Sequence, residues 1–504
     1  MHQKFTLKMK KYCIIICAML IANLGVAQND LPTDYLTSEF HKNRRDALRE
    51  KMPENSVAVF FANAVRNRAN DVDYVYHQDP NFYYLTGYKE PHAVLVIFSD
   101  WQSNEDGKQF NEILYVQERN AKSEMWTGRR LGEEGAKKQF GFEIALNGKE
   151  FLDSGIDFMS FDNVMFDDFK NDIRDNARDK ADLYDLIESF KTQVGYYIEV
   201  SSAEVKNNDQ VDQNTEGSIP QERAKIDTKT LRTYMASLRE IKSEDEMKLL
   251  KKAIRISAMG QVEVMKAMKP NMSETEIQGI HEYVYKIYGS EYEGYPSIVG
   301  AGHNGCVLHY VENNKTKVDG DLVLMDLGAE YHGYTADVTR TIPANGKFTP
   351  EQEAIYSIVY DAQNAGIEAA IVGNTGRDTH NAAKEVINQG LLKLGIIKSL
   401  DQKHTYFPHG TSHHIGLDVH DLNKRGPYQA NMVITVEPGI YIPEGSDCDE
   451  KWWGIAVRIE DDIWITDNGP VNLSAEAPRT VEAIEAMMKQ KSPLDNFKLP
   501  SLDD

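Results

Sequence analysis

The chain has 504 residues, and its 78 aspartates and glutamates against 56 lysines and arginines give it a formal net charge of −22. So acidic a surface argues against nucleic acid and against an anionic membrane as partners. The length exceeds that of one ordinary hydrophobic core, so two or three domains are expected.

The first 27 residues are typical of an export signal. An apolar run at residues 13–22 is followed by the small residues Gly25-Val26-Ala27, which offer a cleavage site before Gln28. The run is too short for an ordinary membrane span, so we predict no stable membrane insertion and an exported protein, either periplasmic or secreted. An uncleaved anchor is the alternative, and Met9 is a second candidate for the true start. Four lysines precede the apolar run: Lys4, Lys8, Lys10 and Lys11.

The predicted leader contains two of the four cysteines, so Cys306 and Cys448 remain in the mature chain. Two cysteines are too few for a disulfide framework, even in an oxidising compartment. Loss of the leader lysines would also make the net charge four units more negative. The fold is therefore expected to depend on its hydrophobic cores.

Strand patterns alternate with helix patterns in the first part of the chain, which favours an α/β fold. We predict a first domain at residues 33–225, with an amphipathic helix at 40–52. An aromatic, turn-rich stretch at 79–88 is interpreted as core packing, with the lining of a neighbouring cleft as the alternative. The polar stretch at 201–220 is typical of an insertion or linker and places the domain boundary just beyond it. Strands are predicted at residues 56–61, 93–98 and 112–116.

The second predicted domain, at residues 226–490, opens with helices that have explicit start signals. Ser243 and Ser273 are each followed three positions later by a glutamate, and Thr349 by a glutamine, as in the capping boxes that begin helices. A glycine-rich stretch at 300–305 resembles a phosphate-binding loop only superficially, because no Gly-Lys-Ser/Thr sequence follows it. Nucleotide binding is therefore not predicted.

Two aspartates lie in a strand-like stretch at residues 323–341. An antiparallel hairpin with a four-residue turn at 330–333 would place Asp326 directly opposite Asp337, with Cβ atoms about 5 Å apart. A two-residue turn at His332-Gly333 would make them diagonal neighbours on the same face. Two carboxylates pressed together in an apolar sheet repel each other, and a cation between them would offset that repulsion. A solvent-facing acid pair on an edge hairpin is the alternative.

Three more stretches carry residues that are unusual for their surroundings. Residues 408–421 hold four histidines, and Glu437 closes a strand-like run where a turn must follow. Arg458 and Glu460 lie inside another apolar strand and point the same way. Acids at positions with a buried pattern are seldom without a role. Taken singly, each has a structural alternative, namely a buried salt bridge for Arg458 with Glu460, and a core or surface position for any one histidine.

Together these residues resemble the two-metal centre of the pita-bread hydrolases. The sequences DLGAEYHGYTADVTRTIP, HGTSHHIGLDVHD, TVEPGIYI and VRIEDD resemble the Xaa-Pro aminopeptidases, the aminopeptidase P family, within that group. NFYYLTGYKEPHAVLV and MWTGRRLG resemble the first domain of that family. The likeness implies an α/β (α+β) chain, with an N-terminal creatinase-like mixed α/β domain followed by a C-terminal pita-bread metallopeptidase domain. The metal ligands that it implies are Asp326, Asp337, His413, Glu437 and Glu460.

By this resemblance, Asp337 and Glu460 bridge or straddle two divalent metal ions. Asp326 holds one of the ions, while His413 and Glu437 hold the other. Four carboxylates and one imidazole make an oxygen-rich site that suits Mn²⁺ best, with Zn²⁺, Co²⁺ or Fe²⁺ as alternatives. Two cations lower the pKa of a shared water, so that a hydroxide would stand ready to attack a peptide carbonyl.

The resemblance also implies supporting roles. Glu437 relays the proton from the attacking water to the leaving proline nitrogen. His309 and His420 donate to the substrate carbonyl or the oxyanion, and His409 shapes the proline pocket. Arg458 orients a ligand carboxylate. Four further histidines are expected to be structural or solvent-facing: His303, His332, His404 and His414.

The predicted function is that of a metallo-aminopeptidase, a hydrolase that acts on peptides with proline at the second position. A prolidase, which shares the fold and the ligands but cleaves Xaa-Pro dipeptides, is the nearest alternative. A metal-free peptide- or protein-binding module on the same scaffold is the alternative of another class. That module and a metal-independent creatinase are disfavoured because the whole ligand set is present. A homo-oligomer, dimer or tetramer, is expected, with the aromatic segment around Tyr83 as a candidate for reaching a neighbouring subunit.

Overall fold

The structure, a computed structural model, describes residues 32–104, 106–176, 179–196, 223–497 and 499. The predicted leader at residues 1–27 and the predicted insertion at 201–220 lie outside the described residues. From Thr37 onward the described residues form one compact unit. The predicted boundary after residue 225 stays a prediction, and a short strand just beyond it pairs with the sheet of the first domain.

Helices occur in both halves of the described chain, and long ones are concentrated in the second half. Their bounds are α1 (Ser38–Arg49), α2 (Pro80–Thr86), α3 (Ala121–Thr127), α4 (Gly132–Phe140), α5 (Gly148–Phe151), α6 (Leu183–Gln193), α7 (Thr230–Arg239), α8 (Glu244–Ala267), α9 (Glu274–Ile287), α10 (Pro350–Ala369), α11 (Gly376–Lys393) and α12 (Val481–Met487).

The strands form one six-stranded sheet in the first half and several small sheets in the second. Their bounds are β1 (Ser56–Phe61), β2 (Asn67–Ala69), β3 (Val72–Asp73), β4 (Val94–Ser103), β5 (Gln109–Val116), β6 (Ala145–Asn147), β7 (Asn163–Met165), β8 (Ile226–Asp227), β9 (Tyr292–Glu293), β10 (Ile298–Ala301), β11 (Leu322–Asp326), β12 (Ala329–Tyr331), β13 (Tyr334–Thr335), β14 (Thr339–Pro343), β15 (Val433–Val436), β16 (Gly439–Ile442), β17 (Ile455–Arg458), β18 (Asp461–Thr466) and β19 (Gly469–Asn472).

The first domain is built on a mixed sheet with strand order β6-β5-β4-β1-β7-β8. Strand β1 pairs antiparallel with β4 and parallel with β7. One face of the sheet packs on an aromatic core in which the fully buried Phe190 ring contacts Phe158 and Phe166, with centroids 5.2 and 5.1 Å away. The predicted helix and strands are confirmed, with ends shifted by at most five residues. The predicted α/β class is confirmed as well.

The aromatic stretch at 79–88 forms the short helix α2 and its flanks. The Asp79 carboxylate caps the helix by accepting from the Asn81 and Phe82 amides, and Pro80 occupies its first turn. Tyr83 and Tyr84 are buried, so the interpretation as core packing is confirmed. Tyr83 itself is 5% exposed, and its hydroxyl donates to the carbonyl of His332 in the same chain at 3.1 Å. That the segment around Tyr83 reaches a neighbouring subunit stays a prediction.

The second domain surrounds small antiparallel sheets with long helices. Its core joins residues of β11, β16 and β17 to the apolar faces of α8, α10 and α11. The three predicted capping boxes are confirmed, with Ser243 at the start of α8, Ser273 at α9 and Thr349 at α10. These caps satisfy helix amides that would otherwise lack partners.

The hairpin that carries the two aspartates has the shorter of the two turns considered. Tyr331 pairs with Tyr334, so the turn is His332-Gly333, and Asp326 pairs with Thr339 rather than with Asp337. Both turn residues have positive φ, +50° and +89°, as the tightest hairpin turns require. The four-residue turn is therefore wrong, and the two aspartates are diagonal neighbours.

Among the described residues, no helix combines the length and the apolar character needed to cross a membrane. Cys306 and Cys448 are both free thiols. Hydrophobic packing, helix caps and sheet pairing are therefore what hold the described part of the fold together.

Candidate metal centre

Strand ends of the second domain bring the five predicted metal ligands to one cavity of about 640 Å³. Asp326 is the last residue of β11, and Asp337 lies between β13 and β14. Glu437 directly follows β15, and Glu460 lies between β17 and β18. His413 lies in the loop before β15. A strand end offers a fixed backbone beside an open edge, which suits a rigid binding site.

The His413 ring faces two of the carboxylates. Its Nε2 lies 3.4 Å from Asp337 Oδ2 and 3.4 Å from Glu437 Oε1. Its Nδ1 lies 3.1 Å from the carbonyl oxygen of His414. A backbone carbonyl on one ring nitrogen fixes the tautomer that leaves the other nitrogen available to a metal. Ligand atoms of Asp337, His413 and Glu460 all lie within 4.8 Å of one another.

Three other side chains hold the carboxylates in place. The Tyr295 hydroxyl lies 2.5 Å from Asp326 Oδ1 and 2.5 Å from Asp337 Oδ1. The Arg458 guanidinium donates to Asp326 Oδ2 at 2.6 Å. The Thr339 hydroxyl donates to Glu460 Oε2 at 2.6 Å. The acids are therefore oriented by neutral donors and one cation, which limits their freedom to turn away from one another.

The crowding of acids is visible in their pKa values. Burial raises the pKa of Asp337 well above its usual range, and the charges of Asp326 and Asp462 raise it further. Burial also raises the pKa of Glu460 well above its usual range, with Asp337 adding to the shift. For Asp326, burial acts in the same direction, but Arg458 and the Tyr295 hydroxyl outweigh it and the pKa is lowered.

This balance provides a test of whether a metal fits. Four carboxylates face one guanidinium in a site where Asp326, Asp337 and Glu460 are each less than 10% exposed. Such a surplus of buried negative charge is unfavourable without cations. Hard oxygen donors with one oriented imidazole suit divalent metal ions. The chemistry of the donor set therefore fits divalent metals.

The predicted catalytic histidines line the same cavity. His309 and His420 are both in its wall, and the His420 ring lies 4.2 Å from the His413 ring, centroid to centroid. His409 Nε2 lies 2.8 Å from the Tyr441 hydroxyl, which also accepts from Arg458 at 3.0 Å. Burial lowers the pKa of His409 to about 4, and the Arg458 charge adds to this. The His409 imidazole is therefore neutral at physiological pH.

Sequence reasoning missed some of the residues that shape the site. The local sequence gives no role to Tyr295 or Thr339. Asp462 stands out only as part of the VRIEDD sequence, although its carboxylate accepts the backbone N–H of Asp337 at 3.0 Å. Tyr295 lies in a loop before β10, and no spacing rule connects it to aspartates more than 30 positions away. The TADVTRT sequence does contain a signal for Thr339. Thr339 is two positions from Asp337, so on a strand the two side chains lie on the same face.

The four histidines expected to be structural or solvent-facing do not line the cavity. His332 is fully buried, with Nδ1 2.6 Å from Glu291 Oε1. His404 stacks on Tyr406, and His303 is exposed.

A buried charge cluster supports the loop that carries His413 and His420. The Asp421 carboxylate, directly after His420, contacts the Arg239 guanidinium and lies 3.0 Å from Lys242 Nζ. All three side chains are at most 3% exposed. Arg239 also donates to Asn81 of helix α2 at 2.7 Å, so the cluster joins the first domain to this loop.

Comparison with known proteins gives the same picture. The model described as "Metallopeptidase family M24" matches residues 248–467, and the model described as "Aminopeptidase P, N-terminal domain" matches residues 41–159. The chain is 34% identical to the Xaa-Pro aminopeptidase of Escherichia coli (strain K12) over 462 residues, which are 89% of this chain and 97% of that protein. This chain belongs to the aminopeptidase P branch of the M24 metallopeptidases. The predicted family is therefore confirmed.

Other proteins similar to this M24 metallopeptidase support the same family assignment. Xaa-Pro aminopeptidase 3 of Homo sapiens is 31% identical over 453 residues, which are 87% of this chain and 82% of that protein. The solved structure of Pseudomonas aeruginosa aminopeptidase PepP superposes with a TM-score of 0.78 at 32% identity, covering 90% of this chain and 99% of that one. Escherichia coli aminopeptidase P with the inhibitor Pro-Leu gives a TM-score of 0.77 at 33% identity, with 90% and 98% covered.

Replacing Asp421 with asparagine tests the charge cluster. The change leaves Arg239 and Lys242 buried without a carboxylate between them, so we expect the free energy of unfolding to fall by about 3–5 kcal/mol. Urea unfolding followed by fluorescence measures this loss. The control is Asp447→Asn, whose partner Lys398 is 75% exposed, and it should cost less than about 1 kcal/mol. Equal unfolding midpoints for the two variants would contradict the prediction.

Proposed function

We propose that this M24 metallopeptidase removes an N-terminal residue that is linked to proline. One observation carries the proposal: four carboxylates and an oriented imidazole share a cavity with three histidines and an arginine. The relatives named Xaa-Pro aminopeptidase support the substrate class. The substrates are then peptides with proline at the second position.

The five ligand side chains would hold two divalent metal ions, with Mn²⁺ as the preferred ion because oxygen donors predominate. When bound, such ions supply the Lewis acidity that makes water a nucleophile near neutral pH. Zn²⁺, Co²⁺ and Fe²⁺ remain alternatives for the same donor set. Arg458 and Tyr295 contribute by keeping the Asp326 carboxylate turned towards the site.

The chain's own residues supply the proton transfers and the orientation of the substrate. Glu437 projects into the cavity with Oε2 3.6 Å from His409 Nδ1, and there it takes the proton of the attacking water and returns it to the proline nitrogen. His309 and His420 donate to the carbonyl oxygen as negative charge develops on it. The neutral His409 ring, held in place by the Tyr441 hydroxyl, forms a wall against which the proline ring packs.

Metal removal tests the role of the ligand cluster. We expect a chelator to abolish cleavage of Ala-Pro-Ala and added Mn²⁺ to restore it. Asp337→Asn should lower kcat/KM by more than the roughly 100-fold associated with losing one supporting hydrogen bond to a ligand. Asp447→Asn, at a side chain 81% exposed, serves as the matched control and should retain activity. Full activity of the chelated protein would refute the proposal.

Peptide length separates the proposed activity from that of a prolidase. An aminopeptidase is expected to cleave Ala-Pro-Ala with a higher kcat/KM than the dipeptide Ala-Pro, in which the leaving proline is also the C-terminal residue. Liquid chromatography of the released alanine measures both rates. A strong preference for the dipeptide would assign the chain to prolidase chemistry, and binding of both peptides without turnover would assign it to a binding module.

We also propose export from the cytoplasm, to the periplasm or the medium, on the strength of the lysine-led apolar run before Gln28. N-terminal sequencing of the protein purified from its source should therefore begin at Gln28, and a chain beginning at Met1 or Met9 would contradict the proposal.

We also propose that the chain assembles into a dimer or tetramer, because the large apolar side chains of Met125 and Trp126 are 81% and 82% exposed and contact with another subunit would cover them. A monomeric mass in light scattering would exclude it.

A further inference from the structure

A second cavity, of about 570 Å³, lies beside the cavity that holds the metal ligands. His413 and His420 line both cavities, so the two cavities adjoin at this pair of rings. The other walls of the second cavity come from helix α7 and from the loop at residues 421–425. A substrate that passes His420 on leaving the first cavity therefore enters the second.

The walls of the second cavity are positively charged. Arg232 comes from α7, and Lys424 and Arg425 come from the loop. Lys424 Nζ lies 2.8 Å from Glu240 Oε1, so its charge is already matched. Arg232 and Arg425 are exposed, and in the described part of the chain neither lies within ion-pair distance of an acid. The Arg232 charge acts on the Asp167 carboxylate only at longer range.

The acidic residue in the wall does not cancel these charges. Asp421 is 1% exposed at its side chain and is already shared between Arg239 and Lys242. Two arginines without a close ion pair on one cavity stand out in a chain with a formal net charge of −22. The guanidinium group is a planar fork of donors that matches a carboxylate with two parallel hydrogen bonds.

The proposed function decides which part of a peptide lies here. An aminopeptidase holds a single residue on the amino side of the bond that it cleaves. The first cavity, with its histidines and metal ligands, takes that residue and the proline. Any further substrate residue follows the proline, so the second cavity faces the carboxyl side of the peptide.

We propose that Arg232 and Arg425 form a subsite for a carboxylate that follows the proline. This inference rests on the proposed aminopeptidase function and narrows its substrates to short peptides with an anionic group just beyond the Xaa-Pro bond. Two sources supply that chemistry: the C-terminal carboxylate of a tripeptide or tetrapeptide, and an acidic side chain at the third or fourth position.

Pairs of peptides test the subsite on the full-length, Mn²⁺-loaded enzyme. We expect kcat/KM for Ala-Pro-Ala to exceed that for its C-terminal amide by about fivefold at low ionic strength, the upper range for a solvent-accessible ion pair. The ratio should approach one in 1 M salt, where charges are screened within about 3 Å. Comparing kcat/KM for Ala-Pro-Asp-amide with that for Ala-Pro-Lys-amide tests whether a side-chain carboxylate serves as well as a C-terminal one.

Variants assign the preference to the two arginines. The double substitution Arg232→Gln and Arg425→Gln should bring the ratio of free peptide to amide close to one. Arg232→Glu with Arg425→Glu should reverse the order of the aspartate and lysine peptides, an outcome that loss of folding cannot produce. The control Arg255→Gln removes an exposed arginine that lines neither cavity and pairs with Glu476, so it should keep the wild-type ratio.

The outcomes separate the subsite from the activity. Equal cleavage of the free peptide and the amide by the wild type would overturn the subsite and leave the aminopeptidase function standing. A ratio that survives both double substitutions would do the same. Cleavage of neither peptide by the Mn²⁺-loaded enzyme would overturn both proposals.

Discussion

The constraint on which this structure depends is the crowding of carboxylates in a buried cavity. Asp337 and Glu460 are almost inaccessible to water, and each lies close enough to other acids for burial and repulsion to raise its pKa well above the usual range. Repulsion of this kind would separate flexible loops. Here the acids stay together because each is attached to the end of a strand whose position is set by packing elsewhere.

Buried arginines also hold the strands around the site in place. The Arg340 side chain is fully buried and donates to the carbonyl of Glu460 at 2.7 Å and to the Asp461 carboxylate at 2.7 Å. It thereby ties β14 to the start of β18, and with them the two segments that carry Asp337 and Glu460. Arg458 does the same for Asp326 from another strand. A guanidinium can satisfy several acceptors at once, which makes it effective where strand ends converge.

Local signals in the sequence were enough for much of the fold. Capping boxes and strand runs such as residues 56–61 depend on neighbouring positions, and the structure has them where they were expected. The acids of the site were recognisable because a charged residue inside an apolar strand is unfavourable unless it has a partner or a role.

Contacts between positions far apart in the sequence could not be predicted in this way. Tyr295 reaches two aspartates across 31 and 42 residues of chain, and nothing in its own neighbourhood indicates that. The turn at His332-Gly333 was also ambiguous, because it lacks the Asn-Gly sequence that marks the tightest hairpins.

Across the contact between the two domains, tyrosine hydroxyls meet main-chain oxygens. Tyr83 and Tyr84 of the first domain donate to the carbonyls of His332 and Leu238, and Tyr292 of the second donates to the carbonyl of Tyr76. Every residue type offers that acceptor, so the side chains at the receiving positions can change during evolution without breaking the bond. The tyrosines that donate these bonds cannot be replaced as freely, because a substitution by phenylalanine removes the hydroxyl and leaves the carbonyl without its partner. In these three contacts, the position that supplies the carbonyl can therefore vary, whereas the position of the tyrosine cannot.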